Sequence, residues 1–183
     1  MKKLLLLALL VVGCDNSTAP EPEDCTGVSG GNSVEDIDGN CYSTVQIGEQ
    51  LWMAENLKVI HYNNGDEITN DDWGSTEEGQ YGVYDNDPAN ADIYGNLYNW
   101  AVVDDDRGVC PEGFHVPSDA EYTVLTDYLG GESVAGGKMK EAGLDHWNYY
   151  SDDITEEATN ESGFTGLPGG GGPPYGSMGR FAY

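Results

Sequence analysis

The clearest pattern of apolar and polar positions lies between residues 110 and 131. Ser118 and Glu121 form an S-x-x-E capping box, and Gly130-Gly131 supplies a stop. Val116 precedes Pro117, which favours an extended entry, and His115 is expected to pack at this entrance. The pattern predicts one helix from about residue 118 to 129. Its apolar face is predicted to contain Tyr122, Val124, Leu125, Tyr128 and Leu129.

Residues 33–56 have the shorter period of β-strands. Val45 and Ile47 alternate with Thr44 and Gln46, and turn-forming residues stand at 38–39 and 48–49. This segment is predicted to form a small antiparallel meander. Positions 63–66, Asn-Asn-Gly-Asp, predict a further turn.

Two more helices are predicted on weaker patterns. One spans 94–103 and has Gly95 inside it, which costs roughly 1 kcal/mol relative to alanine. A short helical turn is expected over 135–143. The 94–103 helix rests on helical spacing of Tyr94, Leu97, Tyr98, Ala101 and Val102.

The N-terminus has the pattern of a secreted protein. Two lysines precede an apolar run over 4–12, which is too short to span a bilayer. The run ends in V-V-G-C, which resembles a bacterial lipobox. We therefore predict a signal peptide over 1–13, a lipidated Cys14 that begins a flexible tether over 14–32, and one domain over 33–183. The expected location is the bacterial cell envelope, at the outer membrane or cell surface. The inner membrane is the alternative, because Asp15 directly follows Cys14.

The charge of the chain limits its partners. Asp and Glu number 33 against 7 Lys and Arg, for a formal net charge of −26. Such a surface repels nucleic acid and anionic lipid. The classes of ligand that remain are neutral, such as polysaccharide, or cationic, such as calcium.

Cysteine use fits an oxidising compartment. With Cys14 lipidated, an odd number of cysteines remains. We predict a Cys25–Cys41 bridge, which would close a short loop and leave Cys110 free, and a Cys41–Cys110 bridge is the competing arrangement. Because His115 lies on a neighbouring segment expected to be extended and no other histidine is near Cys110 in the sequence, we interpret Cys110 as a structural thiol and assign no catalytic residue.

Oxygen-rich and aromatic segments supply the remaining candidates. Asp104, Asp105 and Asp106 follow the C-terminal end of a predicted helix, where the helix dipole disfavours negative charge. Solvent, Arg107 or a bound calcium ion would offset this repulsion, so these three residues are the candidate calcium ligands. The acidic 85–92 loop fails the EF-hand pattern, and the three histidines lack zinc-ligand spacing. Trp147, Tyr149 and Tyr150 are the predicted ligand contacts, because aromatic rings stack on sugars.

Five segments of the chain, in this order, form a specific combination: D-I-D-G-N-C-Y-S-T-V-Q-I-G-E-Q-L-W-M-A-E-N-L (36–57), Y-G-N-L-Y-N-W (94–100), C-P-E-G-F-H-V-P-S-D-A-E-Y (110–122), A-G-G-K-M-K-E-A-G (135–143) and A-T-N-E-S-G-F-T-G-L-P-G-G (158–170). Together they resemble a known family, the Fibrobacter succinogenes major paralogous domain. The resemblance implies a secreted or surface protein, often a lipoprotein, without an established activity.

More distantly, the V-P-S-D-A-E-Y segment is similar to formylglycine-generating-enzyme-like domains. That similarity implies an α+β, C-type-lectin-like, loop-rich fold with small antiparallel sheets and two short helices. Members of the major paralogous family continue into closing strands beyond Tyr183, so the resemblance implies a C-terminally truncated domain and a missing partner for Cys110.

These observations predict a surface-anchored lipoprotein whose domain binds extracellular polysaccharide without catalysis. The alternatives are a structural envelope component without a ligand and, less favoured, a hydrolase. No cofactor is expected apart from the calcium alternative. The expected partners are the membrane, through the lipid, and a polysaccharide or an envelope protein, but not nucleic acid.

Overall fold

A three-stranded antiparallel sheet forms the N-terminal part of the domain. The computed structural model describes residues 24, 25, 27, 31–70, 77–143, 145–147 and 158–168. The strands are β1 (Ser33–Glu35), β2 (Cys41–Ile47) and β3 (Gln50–Met53), in the order β1-β2-β3. Gly39 and Gly48 adopt positive φ angles in the two connecting turns. The predicted meander is confirmed, and so is the turn at 63–66, which the Tyr62 amide closes by donating to the Asp66 carbonyl.

Two helices cover one face of this sheet. They are α3 (Asp119–Tyr128) and α4 (Glu132–Met139). The predicted short turn over 135–143 is therefore a helix that begins and ends earlier. The first core cluster, between sheet and helices, consists of Ile47, Trp52, Leu125, Leu129 and Ala135.

Helix α3 confirms the predicted capping box but not the predicted apolar face. The Ser118 side chain accepts from the Glu121 amide, and the Glu121 carboxylate accepts from the Ser118 amide. Of the five apolar positions, only Leu125 and Leu129 are buried. The other three are exposed because α3 contacts the sheet along a narrow stripe.

The predicted helix over 94–103 is wrong. Residues in this region instead form α1 (Ala91–Tyr94), β5 (Leu97–Tyr98) and α2 (Trp100–Val103). Gly95 ends α1 at φ 69°, where a Cβ atom would lie 2.6 Å from Asn56 Cβ. The Tyr98 hydroxyl donates to the Val59 carbonyl at 2.7 Å. Tertiary contacts thus override the helical spacing.

Strand β5 belongs to a second small sheet, where it pairs antiparallel with β4 (Tyr81–Gly82). Two 3-10 turns, at Tyr84–Asn86 and Pro88–Asn90, connect β4 to α1. A second core cluster lies beneath this region and consists of Val59, Tyr62, Ile68, Val102 and Val109. The molecule therefore has the predicted α+β composition, with small antiparallel sheets and short helices.

The predicted Cys25–Cys41 disulfide is present, with Cα atoms 5.6 Å apart, and Cys110 is a free thiol. Within the part of the chain that the structure describes, no helix is long and apolar enough to cross a membrane.

Candidate functional site

The loop over residues 110–118 separates two cavities, and five of its residues line both. We call the cavity beside β3 the edge groove and the cavity beside Trp100 the tryptophan cavity. The shared residues are Cys110, Phe114, His115, Val116 and Pro117.

The edge groove has a volume of about 380 Å³ and follows strand β3. Residues 50–57 line it without interruption. Because successive side chains of a strand point to opposite faces, a lining that includes both Leu51 and Trp52 means that the cavity meets β3 at its edge. The opposite wall consists of Gly113–Pro117, Glu121, Tyr122 and residues 164–166.

Aromatic rings and one strained residue form the inner wall of the edge groove. The Trp52 ring centroid lies 5.3 Å from that of Tyr122 and 5.7 Å from that of Phe164. Thr165 has φ 55°, which is unusual for a β-branched residue. Asn160 holds it there: its side-chain oxygen accepts from the Thr165 amide at 2.8 Å, and its amide nitrogen donates to the Thr165 hydroxyl at 3.0 Å.

Two buried polar atoms of β3 lack a hydrogen-bond partner among the described residues. They are Gln50 Oε1 and Trp52 Nε1. An unpaired buried polar atom costs roughly 1–3 kcal/mol, so the wall of the edge groove is not optimised as a closed protein core.

The rim of the edge groove is acidic. Glu55 and Glu121 are its only carboxylates among the described lining residues, and none of those residues is Lys or Arg. Hydrogen bonds from the Ser118 amide, the Ser118 hydroxyl and His115 lower the pKa of Glu121 to about 2. The prediction that His115 packs at the helix entrance is wrong. Its ring is exposed, and its Nε2 atom lies 2.7 Å from Glu121 Oε1.

The tryptophan cavity has a volume of about 460 Å³ and a neutral lining. None of the described residues that line it is Asp, Glu, Lys or Arg. Trp100, the first residue of α2, leaves 71% of its surface exposed on the rim. Asn99 positions it by capping α2, with its side-chain oxygen accepting from the Val102 amide at 3.2 Å. Asn63 and Ser118 add neutral polar groups.

Cys110 lines both cavities but is a poor nucleophile. Burial raises the pKa of its thiol, which lowers the fraction of reactive thiolate at neutral pH. Its carbonyl accepts from the Asn63 side chain at 3.0 Å. This geometry supports the interpretation of Cys110 as a structural residue.

The predicted sugar contacts either line neither cavity or lie outside the described residues. Trp147 is partly buried, with the Lys140 amino nitrogen 4.0 Å from its ring centroid and its indole nitrogen donating to the Gly166 carbonyl at 3.2 Å. One ring face is therefore already covered. Tyr149, Tyr150 and Cys14 lie outside the described residues.

Among the three predicted calcium ligands, Asp105 already has a cationic partner. Arg107 forms a bidentate pair with it at 2.7 and 2.8 Å and extends over the Tyr62 ring. Arg107 also lowers the pKa of Asp105 to about 2. Asp104 and Asp106 are exposed.

The described residues contain no group of three or more His, Cys, Asp or Glu that could hold a metal ion. Each histidine pairs with a carboxylate: His61 with Asp38, His115 with Glu121 and His146 with Glu141. Calcium binding stays a prediction.

The sequence interpretation missed Trp100 and the edge of β3. Trp100 lies inside the wrongly predicted helix, although Asn99 before it is a residue type preferred at helix N-caps. Leu51 lies inside the predicted meander over 33–56. Nothing local shows whether its strand lies at the edge or in the centre of a sheet.

Comparison with curated proteins and with solved structures gives no match, so the C-type-lectin-like fold stays a prediction. The sequence model of the Fibrobacter succinogenes major domain matches residues 45–183. This range covers β3, the 110–118 loop and both cavities. The chain therefore belongs to the Fibrobacter succinogenes major domain family.

Proposed function

We propose that this protein is a lipid-anchored protein of the bacterial cell envelope whose domain binds extracellular polysaccharide at the tryptophan cavity without catalysis. The observation that carries the proposal is the exposure of Trp100 beside a cavity whose described lining contains no Asp, Glu, Lys or Arg. A tryptophan ring is a large planar surface on which the apolar face of a sugar ring can stack.

Charge supports a neutral ligand at this site. The chain carries a net charge of −26, which disfavours anionic polymers. Asn63 lines the tryptophan cavity, and its side-chain amide keeps hydrogen-bonding capacity for a sugar hydroxyl beyond the one bond that it donates to the Cys110 carbonyl. A small number of polar groups in an otherwise apolar cavity is typical of a binding site.

The test is a binding panel of insoluble and soluble polysaccharides with the full chain and two variants. Trp100→Ala should weaken binding about tenfold or more, because a buried stacking contact contributes on the order of 1 kcal/mol beyond its area. Tyr128→Ala is the matched control, since it removes an exposed aromatic ring from α3 that lines neither cavity. Trp147→Ala tests the contact that was predicted from the sequence.

The possible results distinguish three classes of protein. Binding that Trp100→Ala weakens and Tyr128→Ala does not would support the proposal. An absence of binding across the panel would favour a structural envelope component. Release of soluble sugar from any polysaccharide would overturn the non-catalytic assignment and favour a hydrolase.

The anchor is tested separately with Cys14→Ser. This variant should leave the membrane fraction and lose fatty-acid labelling, because stable anchoring requires more than one acyl chain. A variant that stays in the membrane fraction would contradict lipidation at this cysteine.

A further inference from the structure

We infer that the edge groove is a docking site for an extended, basic segment of another protein, which adds to β3 as a fourth strand. This inference is independent of polysaccharide binding, because it concerns the opposite side of the 110–118 loop. Three observations support it: the backbone at the edge of β3, the apolar walls of the groove and the charge of its rim.

The backbone of β3 offers free hydrogen-bonding groups at its outer edge. The Ala54 amide donates to the Ser43 carbonyl of β2 at 2.8 Å. Because bonded residues alternate in an antiparallel pair, residues 50 and 52 also point their backbone groups at β2. The backbone groups of Leu51 and Met53 therefore point outward. Within the described residues they bond no other strand.

The walls of the groove suit the side chains of an extended segment. Leu51 is 50% exposed on β3, and Val116 is 45% exposed on the facing loop. The four residues of β3 span roughly 13 Å, so a segment of about four to six residues matches the edge. In such strand addition, main-chain hydrogen bonds supply affinity and alternate side chains supply specificity.

The charge of the rim selects a basic segment. Glu55 and Glu121 line the groove, where His115 pairs with Glu121, and the described lining residues include no Lys or Arg. Glu121 stays ionised at neutral pH because its pKa is about 2. The overall charge of −26 would also attract a cationic partner from a distance. In a segment where lysine or arginine alternates with apolar residues, the basic side chains can pair with the carboxylates of the rim and the apolar side chains can contact the walls.

The experiment measures binding of a fluorescent seven-residue peptide of alternating valine and lysine to the full chain by anisotropy. Two control peptides accompany it. One has glutamate in place of lysine. The other is N-methylated at alternate residues, so that one edge of the peptide strand has no N–H groups to donate to β3. Both should bind at least tenfold more weakly if charge and backbone pairing govern docking.

Two matched protein variants locate the binding site. Val116→Lys places a positive charge on the loop that lines both cavities and should weaken the lysine peptide about tenfold, and a change at Leu51, which lines the edge groove but not the tryptophan cavity, assigns the effect to the groove. Val124→Lys is the same change at an exposed valine of α3 outside the groove, and it should leave binding unchanged. Leu51→Pro removes an outward N–H that β2 does not use, and it should also weaken binding. Melting curves verify that each variant is folded.

Several results would overturn the inference. Equal binding of the lysine and glutamate peptides would remove the charge argument, and equal effects of the two valine variants would place the site elsewhere. A dimer that Val116→Lys dissociates, without peptide binding, would identify a second copy of the chain as the occupant. Peptide binding that appears only after deletion of residues 169–183 would identify that segment as the occupant.

Discussion

The edge groove and the tryptophan cavity share the 110–118 loop but rest on different core clusters. The edge groove lies over the cluster of the β1-β2-β3 sheet, α3 and α4. The tryptophan cavity borders the cluster that includes Tyr62, Val102 and Val109. One loop thus supplies walls to two regions of different chemistry.

The two cavities differ most in the charge of their lining. The edge groove has two carboxylates and no Lys or Arg, whereas the tryptophan cavity has no Asp, Glu, Lys or Arg, among their described lining residues, and His115 lines both. The net charge of −26 is a property of the whole chain and does not distinguish them. Local charge therefore separates a site for a basic segment from a site for a neutral ligand.

Core truncation should have the largest effect and should show whether the two regions unfold separately. Leu125→Ala in the first cluster and Ile68→Ala in the second should each lower the free energy of unfolding by about 3 kcal/mol in urea titrations, since both side chains are buried. Amide exchange should lose protection mainly in the cluster that carries the substitution. Equal loss in both clusters would show one cooperative core and would break the comparison.

Salt should separate the two binding activities. Raising the ionic strength from about 0.05 to about 0.5 M should weaken the lysine peptide about tenfold, because the exposed carboxylates at the rim are screened. Binding of a neutral polysaccharide should change little, since the described lining of the tryptophan cavity contains no Asp, Glu, Lys or Arg. Anisotropy and affinity electrophoresis at several salt concentrations measure both. A parallel salt dependence would argue against two sites of different charge.

Removal of the α3 cap should have a smaller effect, on the order of 1 kcal/mol. Ser118→Ala deletes the hydroxyl that accepts from the Glu121 amide. It should also raise the pKa of Glu121, because one of the bonds that stabilise the carboxylate is lost. Ser133→Ala is the control, an exposed serine in α4, whose N-terminus has no side-chain cap. Unfolding curves and carboxyl NMR titration measure both consequences.

Acid should produce the smallest effect, and it should not distinguish the two regions. The pKa of Glu121 is lowered from 4.5 to about 2, and that of Asp105 from 3.8 to about 2. The stability from a depressed carboxyl pKa is fully present above the unfolded value, and it is lost as the pH falls from about 5 towards 2. Glu121→Gln and Asp105→Asn should each flatten the decline of the urea midpoint in this window. A decline as steep as that of the unchanged protein would contradict the assigned bonds.

Local signals in the sequence determined much of the secondary structure. The S-x-x-E box starts α3 in the structure because both of its hydrogen bonds close within four residues. The β1-β2-β3 meander follows from turn residues and alternating side chains for the same reason. The family was also readable from the sequence, since its five matching segments are contiguous motifs.

The tertiary structure alone decided which surfaces are available to ligands. Helical spacing over 94–103 failed because Gly95 must approach Asn56 closely, a contact between residues 39 positions apart. Trp100 and Leu51 look like core residues in the sequence, yet both are exposed because nothing in the described part of the chain packs over them. The sequence gives the hydrophobicity of each side chain. Burial depends on which distant elements pack against it, and only the folded chain contains that information.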